Sequence, residues 1–470
     1  MNYPPSIAHG YCSNYSILCP YCSPFTVHRS PFTVHRSPFT VHRLPFTVHR
    51  TPMFNPVDHQ KDIYLRGFAG TMPLVPVDPR DLEQKARARM SHEAYAYVAG
   101  GAGLESSVAS NRSDFENHKI VPRMLRDTSN RDTSITLFGQ SIPSPLLLAP
   151  VGVLELVHQE ADLAVGRAAA ALGIPYIFSN QASRPMEEVA AEMGESPRWF
   201  QLYWSKSNEL VASFVERAEK AECSAITVTL DTTNLGWRAR DLSIAYLPFL
   251  EGKGIAQYTS DPVFLKLMDE QASEPEKPDV TLSLLSGVVK MVNAYPGTGF
   301  IRKLRSGKPL KAVRTFTSIY SNPALTWNDL AFLRKRTRLP ILLKGILHPD
   351  DAGLAMDHGM DGIIVSNHGG RQVDGAISTI AALPAIAQRV AGRVPVLLDG
   401  GVRGGADMFK AIALGANAVC IGRPYVYGLT LAGSAGVDEV LRNLMAEFYF
   451  TMGLAGINSV KDINRTCLAS

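Results

Sequence analysis

The stretch PVLLDGGVRGGADMFKAIALGANAVCIGR, residues Pro395 to Arg423, decides the fold, because it reads as strand, glycine-rich turn, helix and strand in succession. PVLLDGG and AVCIGR are apolar at successive rather than alternate positions, as strands covered on both faces require. Between them, GADMFKAIALGA places its apolar residues at helical spacing.

The same rhythm extends upstream. Further strand candidates are LLLAP (Leu146 to Pro150), PYIFSN (Pro175 to Asn180), WFQLY (Trp199 to Tyr203), AITVTLD (Ala225 to Asp231), PILLKG (Pro340 to Gly345) and GIIVSN (Gly362 to Asn367). Amphipathic stretches such as ADLAVGRAAAALG and NELVASFVERAEKAE separate them. Eight buried strands alternating with helices predict an α/β fold of the (β/α)8 TIM-barrel type. A doubly wound sheet is the alternative, but it normally carries a glycine-rich phosphate loop after its first strand, where this chain has APVGV.

Two regions stand outside the rhythm. Residues 1–57 read as a disordered tail, in which SPFTVHR occurs three times from Ser23 and LPFTVHR follows, ending at Arg50. The prolines block an amphipathic targeting helix, and such short repeats cannot bury a core. Residues 58–470 are expected to form one domain with a helical extension at its start. After strand four, an insertion at about residues 239–320 includes SEPEKPD and a short helix at TLSLLSGVVKMV, and it reads as a lid over the barrel mouth.

Composition narrows the functional classes. The chain has 470 residues, 46% of them hydrophobic, and a net charge of only +4, which argues against a nucleic-acid partner. No apolar run reaches the length of a membrane span. Cys12, Cys19 and Cys22 lie in the tail, while Cys223, Cys420 and Cys467 are scattered. That spacing suggests neither a disulfide framework nor a metal site, and the expected compartment is the cytoplasm.

In a barrel, residues just past the strand ends share one mouth. Two glycine-rich turns, Asp399-Gly400-Gly401-Val402-Arg403 and Gly422-Arg423, fall where such barrels commonly hold a phosphate, with bare amides and two arginines for the oxygens. Lys344, on an otherwise apolar strand, either snorkels out or faces an electron-rich ring. His368 in SNHGGRQVDG is a candidate base, with Asp231 available to orient it. Arg371 suits a substrate carboxylate, though Asp231 and Arg371 could instead form a plain ion pair.

The motifs FQLYW, LDTTNLGWRARD, LLKG, SNHGGRQ and DGGVRGG, in this order along the chain, resemble those of the FMN-dependent α-hydroxy-acid oxidizing family, and the resemblance covers the chain from about residue 58 onward. The resemblance implies an FMN enzyme with a small 2-hydroxy acid and O2 as reactants, assembled as a homo-oligomer, tetramer or octamer. It implies His368 as base, Asp231 as its partner, and Arg371, Arg238 and Tyr95 on the substrate carboxylate, with Tyr203 facing the hydroxyl. Ser179, Gln201, Thr229 and Ser366 would bond the flavin ring, with Lys344 at its edge and Pro150, Val151 and Gly152 alongside. Asp399, Gly400, Gly401, Arg403, Gly422 and Arg423 would hold ribityl and phosphate.

Two departures bear on the branch of the family. The strand-one motif is Pro150-Val151-Gly152 where the oxidases usually have Pro-Thr-Ala, and Gln181 stands where tryptophan is found in some members. With the long insertion, these features are similar to the lactate-decarboxylating monooxygenase branch. Loss of a methyl group at Gly152 is expected to leave room in which the 2-oxo product stays bound while oxygen reacts; a simple peroxide-releasing oxidase is the alternative. A flavin-binding scaffold without activity is a third reading, opposed by the intact His368, Asp231 and Arg371 set.

Overall fold

The computed structural model describes residues 54–270 and 282–469. The SPFTVHR repeats and SEPEKPD lie outside the described residues.

Each expected strand forms: β1 (Leu146–Leu148), β2 (Tyr176–Phe178), β3 (Arg198–Tyr203), β4 (Ile226–Thr229), β5 (Ile341–Ile346), β6 (Gly362–Val365), β7 (Val396–Asp399) and β8 (Ala418–Ile421). They pair in parallel in chain order, and β8 closes on β1 to complete the barrel. The pleat explains why the runs are apolar throughout. Leu146 and Leu148 join the core between strands and helices, whereas Leu147 joins the barrel interior with Ile177, Trp199, Ala225, Leu342, Ile364, Leu397 and Ala418.

That interior layer sits toward the starts of the strands. A two-stranded hairpin, Ile135–Leu137 and Gln140–Ile142, covers this end of the barrel. Leu137 and Ile142 pack into the interior cluster, and the Phe138 ring lies 5.7 Å from that of Trp199. Further along six of the eight strands the inward positions turn polar, and Ser179, Gln201, Thr229, Lys344, Ser366 and Asp399 are all buried, while β1 and β8 keep Ala149 and Cys420 there. Alternation therefore places a polar floor at the C-terminal end of the barrel, on top of an apolar plug.

The helical extension comprises α1 (Pro56–Phe68), α2 (Pro79–Arg89) and α3 (His92–Ala99). Asn55 caps α1, so this helix starts slightly before the domain start expected at residue 58. Ser91 caps α3, which ends at Gly100 beside the barrel mouth. Between β4 and β5 the insertion folds into short helices, from Ala239–Ser243 through Leu282–Ala294 to Lys308–Ile319. Its centre is an aromatic cluster in which Phe316 lies 4.9 Å from Tyr320, 4.8 Å from Tyr258 and 5.2 Å from Phe249.

Candidate active site

At the C-terminal ends of the strands lies a cavity into which residues from most of the barrel converge. Its walls combine the turns after β1, β7 and β8, the segments after β4 and β6, the end of α3, and Phe249 and Tyr320 from the insertion.

The polar floor is fully wired. Ser179 donates to Gln201 Oε1 at 3.2 Å, and Gln201 Nε2 donates to Thr229 Oγ1 at 2.9 Å. Lys344 donates to Ser366 Oγ at 2.9 Å and pairs with Asp399 at 3.2 Å, while Ser366 donates to Asp399 Oδ1 at 2.7 Å. Burial alone would lower the Lys344 pKa, but Asp399 and Asp231 outweigh it and hold the ammonium charged. Lys344 does not snorkel out. It lines the cavity from the end of β5, next to a bulge at Gly345. Gly345 has φ +105°, and a Cβ there would lie 2.9 Å from the Asp231 side chain, so only glycine lets Asp231 pack against this strand.

Above the floor, His368 Nδ1 lies 2.8 Å from Asp231 Oδ1, and Thr232 Oγ1 stands 3.4 Å from the same nitrogen. A carboxylate can only accept, so Nδ1 carries the proton and Nε2 is left as the acceptor. Burial pushes the imidazole below its ordinary pKa despite Asp231, which keeps it neutral and basic at neutral pH. Asp231 is desolvated too, yet His368 and Lys344 hold its carboxyl below the ordinary carboxylate value. His368 has φ +58°, a conformation that costs energy and that the following glycines help to accommodate. Asp231 is thus the partner of His368, and the ion pair with Arg371 does not form.

Cations dominate the rest of the wall. Arg238, Arg371, Arg403 and Arg423 all border the cavity, and none has a carboxylate within ion-pair distance among the described residues. Arg371 donates to the carbonyls of Tyr97 and Gly100. Burial, with Arg238 close by, pulls its pKa down to about 9, which still leaves it cationic at neutral pH. Arg423 donates to the carbonyls of Val98, Gly369 and Gly100. Unpaired guanidinium groups around one cavity call for an anionic occupant.

Two sequence expectations need correction. Tyr95 does not reach the cavity: its hydroxyl donates to Glu83 at 3.2 Å, and Arg87 and Arg240 flank its ring. Tyr97 lines the cavity instead, with the Arg371 guanidinium 5.0 Å from its ring centre. Residues two apart on a helix face different sides, so only one tyrosine of YAYVAGG can point inward. The second correction concerns Gly152. A Cβ there would meet Gln181 O at 2.9 Å and Gln181 Cβ at 3.0 Å, so the missing methyl group is replaced by the Gln181 loop and leaves no extra room.

Sequence reasoning did not single out Tyr97, Thr232, Phe249 or Tyr320. The adjacency of Thr232 to Asp231 was a usable signal for the second. For Phe249 and Tyr320 the signal was coarse: both fall in the insertion expected over the mouth, but aromatic packing within it decides which of its side chains line the cavity.

The profile of the FMN-dependent dehydrogenase family matches residues 86–470. The chain belongs to this family. It is similar to an L-lactate oxidase of Lysinibacillus sphaericus (strain C3-41), with 41% identity over 407 residues, 87% of this chain and 96% of that protein. It is 37% identical to human 2-hydroxyacid oxidase 1 over 386 residues, 82% of this chain and 94% of that one. A crystal structure of mandelate oxidase matches with a TM-score of 0.67 at 36% identity, covering 84% of this chain and 98% of that chain. The protein is therefore an FMN-dependent oxidoreductase built on a TIM barrel.

The cavity fits FMN. Past β8, a Cβ at Gly422 would touch only Val151, at 3.5 Å, so the backbone there is open to a phosphate-bearing chain. Helix Arg423–Leu454 starts at this point with no side-chain cap, and Arg403 and Arg423 supply positive charge. The buried Lys344 ammonium lines the same cavity.

Proposed function

We propose that the protein oxidizes a small L-2-hydroxy acid such as L-lactate to the 2-oxo acid, with O2 as the final acceptor. The observation that carries this reading is the His368–Asp231 pair facing the same cavity as the unpaired Arg238 and Arg371 guanidinium groups. FMN supplies the two-electron acceptor. Ser179, Gln201, Thr229, Lys344 and Ser366 would hold its ring, and Asp399, Gly400, Gly401, Arg403, Gly422 and Arg423 its ribityl phosphate, beside Pro150, Val151 and Gly152.

The chain's own groups do the rest. Arg371 and Arg238 bind the substrate carboxylate, helped by the Tyr97 hydroxyl, and Tyr203 hydrogen-bonds the substrate hydroxyl. His368 Nε2 takes the departing proton, and the Asp231 carboxylate stabilises the imidazolium that results. Phe249 and Tyr320 close the apolar side of the cavity, which favours a short side chain on the substrate.

The test is to add L-lactate to the FMN-loaded enzyme without oxygen and follow bleaching of the flavin absorbance. An unchanged spectrum with lactate and other small 2-hydroxy acids overturns the reading. Readmitting oxygen and measuring peroxide per O2 consumed then reads the fate of the product. Stoichiometric peroxide marks an oxidase, and acetate with carbon dioxide marks the decarboxylating outcome.

A homo-oligomer is part of this reading. Tyr64, Phe68, Met72 and Leu74, in and just after α1, are exposed apolar side chains that a second copy would cover, and light scattering measures the assembly.

A further inference from the structure

Gln372 follows Arg371 in SNHGGRQ and does not line the cavity, yet its amide is one of the most fully used side chains near the site. Nε2 donates to the carbonyls of Asp231, at 2.5 Å, and Asn234, at 3.0 Å. Oε1 accepts from the Arg238 guanidinium at 3.2 Å and from the Gly236 amide at 3.3 Å. The orientation of the amide is forced, because guanidinium and backbone N–H can only donate and carbonyls can only accept. Gly236 permits the approach: a Cβ there would lie 2.9 Å from Gln372 Cα and would also collide with the Arg371 carbonyl. One half-buried side chain thus pins the whole segment from Asp231 to Arg238 onto the segment that carries His368 and Arg371.

We propose that Gln372 is a positioning residue that fixes Arg238 for the substrate carboxylate, through a neutral oxygen that orients the guanidinium without neutralising it. The inference rests on the reading of Arg238 as a carboxylate-binding cation. The chemistry is selective for an amide. A glutamate would keep the shape but lose both donations and place a negative charge on Arg238 in competition with the substrate. A methionine would keep the volume and lose every hydrogen bond.

The experiment uses the FMN-loaded enzyme and oxalate, a small carboxylate with no C–H bond to oxidize, whose binding is read from the perturbed flavin spectrum. Gln372→Glu should weaken oxalate binding and raise the KM for lactate by about tenfold or more, the scale of one charge-assisted contact, with a smaller loss in kcat. Binding by this variant should recover toward the wild-type level as pH falls through the glutamate range, which a purely structural defect would not do. Gln372→Met should weaken oxalate binding by less, without the pH-dependent recovery. If oxalate does not perturb the wild-type flavin, the carboxylate reading of the cations fails. If wild type binds oxalate and Gln372→Glu binds it equally well at neutral pH, the positioning role fails. Loss of FMN or of folding by both variants also overturns it, since Gln372 would then serve the fold alone.

Discussion

Asp231 and His368 are separated by 137 positions in the chain and by 2.8 Å in space, carboxylate oxygen to Nδ1, just past the C-terminal ends of β4 and β6. Between those strands in space stands only β5, where Gly345 leaves the gap that Asp231 fills. The pair directs the free Nε2 of His368 into the cavity.

Replacing His368 by Gln should leave FMN bound and slow flavin reduction by about a hundredfold to ten-thousandfold. Stopped-flow absorbance with lactate in the absence of oxygen checks it. Reduction at the wild-type rate would remove His368 from the reaction.

The acid limb of kcat/KM should report the same imidazole. His368 acts as a base only when neutral, and burial holds it below its ordinary pKa, so activity should stay level through neutral pH and fall only in acid below that ordinary value. Asp231 raises the His368 pKa, so Asp231→Asn should shift the limb to still lower pH while lowering the plateau. A limb that moved upward would contradict the pairing.

Arg371→Lys keeps the charge but cannot form a planar fork while also bonding the carbonyls of Tyr97 and Gly100. The KM for lactate should rise by about tenfold or more. Steady-state kinetics with an unchanged KM would place the substrate carboxylate elsewhere.

Tyr97 and Tyr95 give a sharp contrast. Tyr97→Phe should raise the KM for lactate, because Tyr97 lines the cavity, whereas Tyr95→Phe should leave the kinetics unchanged and lose only the bond to Glu83. Equal effects from the two variants would mean that helix α3 is rotated from the position described.

At Gly152 the added methyl group of alanine meets the Gln181 backbone rather than open space. Gly152→Ala should therefore cost about 1–3 kcal/mol of stability and weaken FMN binding as the Gln181 loop shifts. Thermal melting and FMN titration measure both. A variant as stable as the parent, changed only in its peroxide yield, would restore the view that this position offers free volume.

How much of this was legible in the sequence depends on the range of the interaction that sets it. The eight strands show in runs such as LLL and IIV because burial on both faces demands continuous apolar residues, and that demand is local to each strand. Motif order gave the family and placed His368, Asp231, Lys344 and the arginines at one mouth, since a barrel gathers all its strand ends whatever their spacing in the chain. What the chain alone left open was direction and contact. Whether Tyr95 or Tyr97 faces inward depends on the rotation of α3 against the barrel, which Ser91 at its cap and the Arg371 bonds to Tyr97 and Gly100 fix. Whether Gly152 is a void or a seat depends on Gln181, which belongs to the turn after another strand. The wall made by Phe249 and Tyr320 exists only once the insertion has folded around its own aromatic core. Composition and periodicity record which residues must be buried. The neighbour each one meets is decided by packing between segments far apart in the chain, and only the tertiary structure contains that information.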